Sequence, residues 1–338
     1  MVRAEWAPYT LEFRFEARTS RDRMWRKQTY LLRVTDTDTG RSGVGECALF
    51  RGLSADDYPD YEERLSRVCS EPTVLPPESS IRFGLETAMI GAGLAEAPDT
   101  PFMRGETGIP INGLIWMGDK ILMRRRIDEK LAAGFNVLKM KIGGIDFESE
   151  IDLLRYVRGI YSANTLELRL DANGSFTPAN AMERLERLSE FTIHSIEQPV
   201  VPRQWEEMAR ICRRSPIPVA LDEELIGVDN REALLDAIRP QYIILKPALC
   251  GGLGGADAWA DAAEARGISW WATSALESNV GLEAIARWVS ARGVGMPQGL
   301  GTGQLYKNNF PSPLSLRGQY LWRDPELTME IPPLPWRH

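Results

Sequence analysis

Histidine is almost missing from this chain of 338 residues: His194 and the terminal His338 are the two. A Ser-His-Asp triad or a His-rich zinc site would have to be built on one of them. Acid–base chemistry therefore falls to Lys, Asp, Glu or Tyr. Cysteine is scarce as well. Cys47, Cys69, Cys212 and Cys250 form no CxxC pair, which excludes a disulfide scaffold or a zinc knuckle and points to a reduced, cytoplasmic protein. No apolar run approaches the roughly 20 residues that span a bilayer. The opening Met1-Val2-Arg3-Ala4-Glu5 has no hydrophobic leader, so neither membrane nor export is expected. Basic charge is not in excess: 40 Lys+Arg stand against 47 Asp+Glu, a net charge of −7. Such a chain is poorly suited to neutralising nucleic-acid phosphates. The triplet Arg124-Arg125-Arg126 falls in a helical pattern and reads as a solvated face. A dinucleotide glycine fingerprint is lacking too. Cys250-Gly251-Gly252-Leu253-Gly254-Gly255 has neither Rossmann nor P-loop spacing and reads as a loop after a strand.

What is present is an ordinary folded composition, 43% hydrophobic and 26% charged. The first hundred residues read as strands (8–16, 28–36) followed by helices (57–69, 80–95), an α+β unit. From residue 111 the rhythm changes. Strand-like runs at 111–116, 136–142, 166–171, 193–197, 217–222, 242–246 and 269–274 are each followed by a helical pattern, as at 146–160. A strand and its helix need about that spacing, and seven or eight such units in series close into a (β/α) barrel. The expected fold is an α/β, (β/α)7β-type TIM barrel over 109–308, with an N-terminal α+β capping domain over 1–108. The proline-rich tail, 309–338, is expected to return to that cap.

In such a barrel the catalytic groups come from the C-terminal ends of the strands. Here those ends carry Lys139 and Lys141, Asp171 and Asn173, Glu197, Asp222 with Glu223, Lys246, and Ser274. Residues two apart share a strand face, so Lys139 and Lys141 point together, as do Arg169, Asp171 and Asn173. Charges facing a barrel interior are costly unless paired or metal-bound. Asp171, Glu197 and Asp222 end three successive strands, and three carboxylates at one level repel one another. A hard dication resolves that conflict, and an all-oxygen set without His or Cys favours Mg²⁺. Pairing of each acid with a basic neighbour is the plainer alternative. Lys141 and Lys246 flank the acids on opposite sides, an arrangement suited to removing a proton next to a carboxylate. A free lysine near pKa 10.4 is a poor base. A second cation about 6 Å away, at an effective dielectric of about 20, lowers it by about 2 units, and Lys139 is positioned to do so.

Leu138-Lys139-Met140-Lys141, Leu170-Asp171-Ala172-Asn173, Ser195-Ile196-Glu197-Gln198-Pro199, Ala220-Leu221-Asp222-Glu223 and Ile244-Leu245-Lys246-Pro247 resemble the enolase superfamily, in its muconate-lactonising subgroup. Gly45 to Ser54 resembles the family's substrate-covering loop, and Ser80 to Glu86 its capping-domain helix. The resemblance spans nearly the whole chain. It implies Asp171, Glu197 and Asp222 as ligands of Mg²⁺, with Mn²⁺ able to replace it. It implies Lys141 as the base, Lys139 as its modulator and Lys246 as the group stabilising the enediolate. Asn173 and Glu223 would orient the ligands. Ser274 and Gly299 would hold a succinyl end, and Phe50 and Arg51 would close over a small carboxylate substrate. Segments 274–281 and 299–306 are most like a dehydratase branch, which turns a hydroxy-succinyl-cyclohexadiene carboxylate into an aromatic succinylbenzoate for menaquinone synthesis. Homo-oligomers are common among its members.

Within the same subgroup, an N-acylamino acid racemase or a dipeptide epimerase needs the same core. Dipeptide epimerases usually carry an Asp-x-Asp near the last strand, where this chain has Gly299-Leu300-Gly301-Thr302. A glycosidase would leave the strand-end lysines without a task. A class I aldolase would use Lys246 as a Schiff base. A barrel kept only as a binding scaffold would be expected to shed these costly charges.

Overall fold

The computed structural model describes residues 1–18 and 23–338. It opens with an antiparallel sheet of β1 (Val2–Arg18), β2 (Arg23–Asp36) and β3 (Ser42–Cys47), in that order. The helices α1 (Tyr61–Ser70) and α2 (Ser79–Gly91) pack on it. The segment from Gly45 thus begins as a strand, pairing Gly45 with Leu32 and Cys47 with Tyr30, and the loop that covers the barrel starts after Cys47. Two glycines make the contact with α2 possible: a Cβ on Gly43 would lie 2.1 Å from the Ala88 carbonyl, and one on Gly45 1.9 Å from that of Gly84. Only a strand without side chains there lets the helix backbone approach so closely.

The rest alternates: β4 (Ile109–Pro110), β5 (Gly113–Ile115), α3 (Lys120–Ala132), β6 (Val137–Lys141), α4 (Phe147–Ile160), β7 (Glu167–Asp171), α5 (Ala181–Ser189), β8 (Ser195–Glu197), α6 (Trp205–Arg214), β9 (Val219–Leu221), α7 (Arg231–Ile238), β10 (Tyr242–Leu245), α8 (Gly252–Glu264), β11 (Ser269–Ala272) and α9 (Asn279–Arg292), before β12 (Leu314–Arg317) and β13 (Tyr320–Arg323). Strands β5 to β11 form one parallel sheet in chain order. An eighth stave closes it into a barrel. Gln298 bridges to Ile111 and Gly299 to Thr273, both in parallel sense. A Cβ on Gly299 would stand 2.4 Å from Thr273 Oγ1, so the stave fits there only as glycine.

Alternation along the staves sets two environments. Leu138, Met140, Leu168, Leu170, Ile196, Val219, Leu221, Ile243 and Leu245 face outward into the main hydrophobic core, against the helices. The inward residues include Ala220, Ile244 and Trp271, with the Arg169 guanidinium stacked 4.6 Å over the Trp271 ring. Arg169 is 1% exposed and is neutralised at once: its Nε donates to Glu167 and its Nη1 to the Pro297 carbonyl.

The tail divides its contacts. β12 and β13 join β4 in a small sheet under the barrel, while Arg337 bridges to Trp6 of the cap and Trp336 lies beneath the cap's Arg33. Glu46 fastens cap to barrel. This fully buried carboxylate accepts from Thr29 in the cap, and from Ser278 N, Ser278 Oγ and Gly281 N at the start of α9. The positive end of the α9 dipole favours an anion there. Among the described residues no helix is long and apolar enough to cross a membrane.

Candidate active site

The pairing register shows how one rim collects the charges. Lys141 pairs with Asp171, and Asp171 with Glu197. Glu197 pairs with Ala220, so Asp222 stands two residues further along. Ala220 pairs with Tyr242, so Lys246 stands four further. The acids were expected level with one another; instead the third one climbs. Strand tilt explains this. In an eight-stave barrel with a shear of about 8, constant height rises by about one residue per strand. The four steps from β6 to β10 thus match the four residues, and because every offset is even all five side chains keep the inward parity. Asp222 and Lys246 lie just past the last paired residues of β9 and β10, where the backbone leaves the ladder.

Three ammonium groups and three carboxylates interlock here. Lys139 meets Asp171 at 3.1 Å and also forms an ion pair with Glu197. Lys141 Nζ donates to Asp171 Oδ2 at 2.9 Å and to Asn173 Oδ1 at 2.8 Å. Lys246 Nζ donates to Asp222 Oδ2 at 2.5 Å. Burial works against the charge on Lys139, yet Asp171 and Glu197 outweigh it and hold its pKa above the usual lysine value. Lys246 behaves alike through Asp222 and Glu223. Burial pushes Asp171 up, but Lys139 and Lys141 outweigh it and keep the carboxyl below its ordinary range. Glu197 goes the other way: burial and then repulsion from Asp171 raise it well above a normal glutamate. Asn173 Nδ2 donates to Glu223 Oε1 at 3.1 Å, tying the β7 end to the β9 end. The neighbouring Gln198 clamps the same rim, its Oε1 accepting from Asp222 N and Glu224 N.

Among the described residues no three His, Cys, Asp or Glu side chains form a ready-made metal cage, because each acid here is drawn onto an ammonium. The donor chemistry nonetheless fits a hard divalent cation. Asp171, Glu197 and Asp222 supply only oxygen. Glu197 is 2% exposed and its Oε1 has no hydrogen-bond partner, as does Oε2 of Glu223. Buried carboxylate oxygens without partners cost stability unless a cation completes them.

A cavity of about 350 Å³ lies over this rim. Lys139, Lys141, Asp171, Asn173, Glu197, Glu223 and Lys246 border it, together with Phe50, Arg51, Ser274 and Gly299. Asp222 stands behind Lys246 rather than on the wall. Two expected binding groups are otherwise occupied. Ser274 Oγ donates to Glu277 at 2.6 Å, and Gly299 N donates to the Ala272 carbonyl. Arg51 pairs with Asp57 at 2.5 Å near the mouth. Sequence reasoning missed Met24, Asn112, Leu114, Trp116 and Thr302, all on the wall. For Asn112, Leu114 and Trp116 a signal existed: they alternate along β5 and its flanks, the inward set of that stave. Met24 had none, since only folding of the β1–β2 hairpin brings it over the barrel.

Known proteins agree with this architecture. A family model described as Enolase C-terminal domain-like matches residues 122–321. The o-succinylbenzoate synthase of Desulfotalea psychrophila is 45% identical over 92% of this chain and 96% of its own length. The N-succinylamino acid racemase of Thermus thermophilus is 32% identical, over 46% of this chain and 41% of its own. Among solved structures, MenC from Desulfotalea psychrophila superposes with a TM-score of 0.84 at 41% identity, covering 95% of this chain and 99% of that one. The muconate lactonizing enzyme of Pseudomonas fluorescens shares the fold, with a TM-score of 0.82 at 20% identity over 98% and 96% of the two chains. The chain belongs to the enolase superfamily.

Proposed function

We propose that this protein is an o-succinylbenzoate synthase: a lyase that removes water from a hydroxy-succinyl-cyclohexadiene carboxylate, leaving an aromatic ring. The observation that carries the reading is the pair of amines, Lys141 and Lys246, on either side of an acid set in one cavity. The likeness to the Desulfotalea enzyme over nearly the full length supports it.

In this reading Asp171, Glu197 and Asp222 hold a divalent cation, taken as Mg²⁺ from the all-oxygen donor set and from general use in the superfamily, with Mn²⁺ a workable substitute. When bound, that ion neutralises the substrate carboxylate and makes the α-proton more acidic. Lys141, in its unprotonated form and released from Asp171, takes the α-proton. The electrons of that C–H bond form the new double bond as the β C–O bond breaks, and the Lys141 ammonium returns the proton to the departing hydroxide, which leaves as water. Lys246, on the opposite face, keeps its proton and stabilises the negative charge that develops on the carboxylate. Lys139 stays protonated between Asp171 and Glu197 and balances the acid set. Asn173 and Glu223 orient Lys141 and the acids. Phe50 and Arg51 of the cap, with Ser274 and Gly299, border the substrate. We read residues 1–108 with 309–338 as the capping domain and 109–308 as the catalytic barrel. We place the enzyme in the cytoplasm, where four free thiols belong.

Two lysines facing one carbon are also what a two-base racemase needs, so N-succinylamino acid racemisation is the second reading. The test is an ultraviolet assay of the cyclohexadiene substrate beside exchange of the α-proton of N-succinylamino acids in D₂O. Dehydration at a higher kcat/KM supports the synthase. Exchange without dehydration overturns it in favour of the racemase.

A further inference from the structure

The cavity has a second, uncharged wall, made by the start of β5, residues 273–276 after β11 and residues 299–302. Most of its polar groups are committed within the protein. Ser274 Oγ gives its proton to Glu277, Thr273 Oγ1 gives its proton to the Gly299 carbonyl at 3.0 Å, and Gly299 N is bound to Ala272. Two groups are not committed. Asn112 Oδ1 and Thr302 Oγ1 are buried without any hydrogen-bond partner among the described residues, although their residues, 2% and 4% exposed, border the cavity. Asn112 has the inward parity of its stave. It lies two residues before Leu114, which pairs with Lys139, so it sits about one layer below the charged rim. A buried polar group without a partner is destabilising. Two of them on the wall of one cavity point to a ligand as the missing partner.

The chemistry of that ligand group follows from the wall. It carries no charge, so a carboxylate pressed against it would lose its hydration without a countercharge. A neutral oxygen acceptor suits both residues: the Asn112 carboxamide, turned about its last bond, presents Nδ2 as donor where Oδ1 now stands, and the Thr302 hydroxyl donates its proton. We infer that Asn112 and Thr302 form a neutral subsite that binds the carbonyl oxygen of the substrate's acyl side chain, beside the ring held at the charged rim. This rests on the synthase reading and names the part of the substrate that the lysines do not read.

The test compares two ligands in the Mg²⁺-loaded protein by isothermal titration: 2-succinylbenzoate, and 4-(2-carboxyphenyl)butanoate, in which a methylene replaces the ketone. The wild type is expected to prefer the ketone by about tenfold. Asn112→Leu combined with Thr302→Val should lose that preference while binding the methylene compound as the wild type does. It should also raise KM for dehydration with kcat within about threefold. Thr302→Ser, which keeps the hydroxyl, should retain the preference, and serves as the control should the double variant fold poorly. A double variant that still prefers the ketone, a wild type that does not distinguish the two, or a Thr302→Ser variant that loses the preference overturns the subsite. Failure of the synthase reading shows separately, as a wild type without dehydratase turnover.

Discussion

The two ends of the cavity are built on opposite rules. At the rim of β6 to β10 each of the three lysines meets a carboxylate, and the geometry follows from strand register: Lys141, Asp171 and Glu197 in line, Asp222 and Lys246 stepped up by the tilt. At the wall of β5, 273–276 and 299–302 there is no charge, and polar atoms are left without partners. A site that must create charge in its transition state places charge beforehand, since preorganised groups need not rearrange during the reaction. A site that must recognise an uncharged carbonyl relies on shape and a few hydrogen bonds. On the proposed reading chemistry and specificity sit on different staves, and each should be alterable without the other.

The strongest way to break this division is at the rim. Lys141→Ala should lower kcat by more than about a thousandfold while leaving Mg²⁺ affinity and the circular dichroism spectrum intact. A variant that kept wild-type turnover would move the base elsewhere. Next in size is the acid set. EDTA should abolish activity and Mg²⁺ restore it. Glu197→Gln should weaken Mg²⁺ binding by at least about tenfold by titration. The same variant should melt at a higher temperature than wild type in EDTA, because it removes a buried carboxylate that burial and Asp171 both disfavour.

On the neutral wall the informative change is Gly301→Asp. A Cβ there meets nothing closer than 3.6 Å, so the fold should tolerate it, with a melting temperature within about 2 °C of wild type. The new carboxylate would stand close to Asn112, on a wall that otherwise carries no charge, and KM for the succinyl substrate should rise about tenfold with a smaller change in kcat. An unchanged KM would mean that the acyl chain lies elsewhere.

The smallest effect concerns the support of the rim. Glu150 of α4 accepts from Gly143 N, just after Lys141, at 2.5 Å. Burial raises its pKa from 4.5 to about 7, the backbone donors offsetting only part of the cost. The folded state therefore binds this proton more tightly than the unfolded state. Its contribution is most favourable below pH 4.5 and declines as pH rises toward 7. Glu150→Gln should remove that slope, leaving the variant more stable than wild type at pH 8 by about 1–3 kcal/mol in urea titrations. Equal slopes would show that the loop donors already compensate the charge.

How much was readable in advance differs for the same two regions. The barrel rhythm and the rim residues were legible because a parallel strand buried on both faces should be apolar throughout. Lys139, Lys141, Asp171, Glu197 and Lys246 break that expectation at the strand ends. The covering loop expected from Gly45 onward instead begins as β3, where Gly43 and Gly45 let α2 approach, a close contact that only the fold reveals. Position alone assigns Ser274 to holding the succinyl end, and only the fold shows Glu277 taking its proton.

The sequence by itself determined which residues lie on which stave and which way they point, since parity and spacing are local properties of the backbone. Only the tertiary structure decided that Met24 from the cap hairpin, Asn112 at one end of the sheet and Thr302 beyond the closing stave line one cavity. Those meetings depend on barrel closure and on the seating of the cap, which bring together groups far apart in the chain and leave no periodic trace along it.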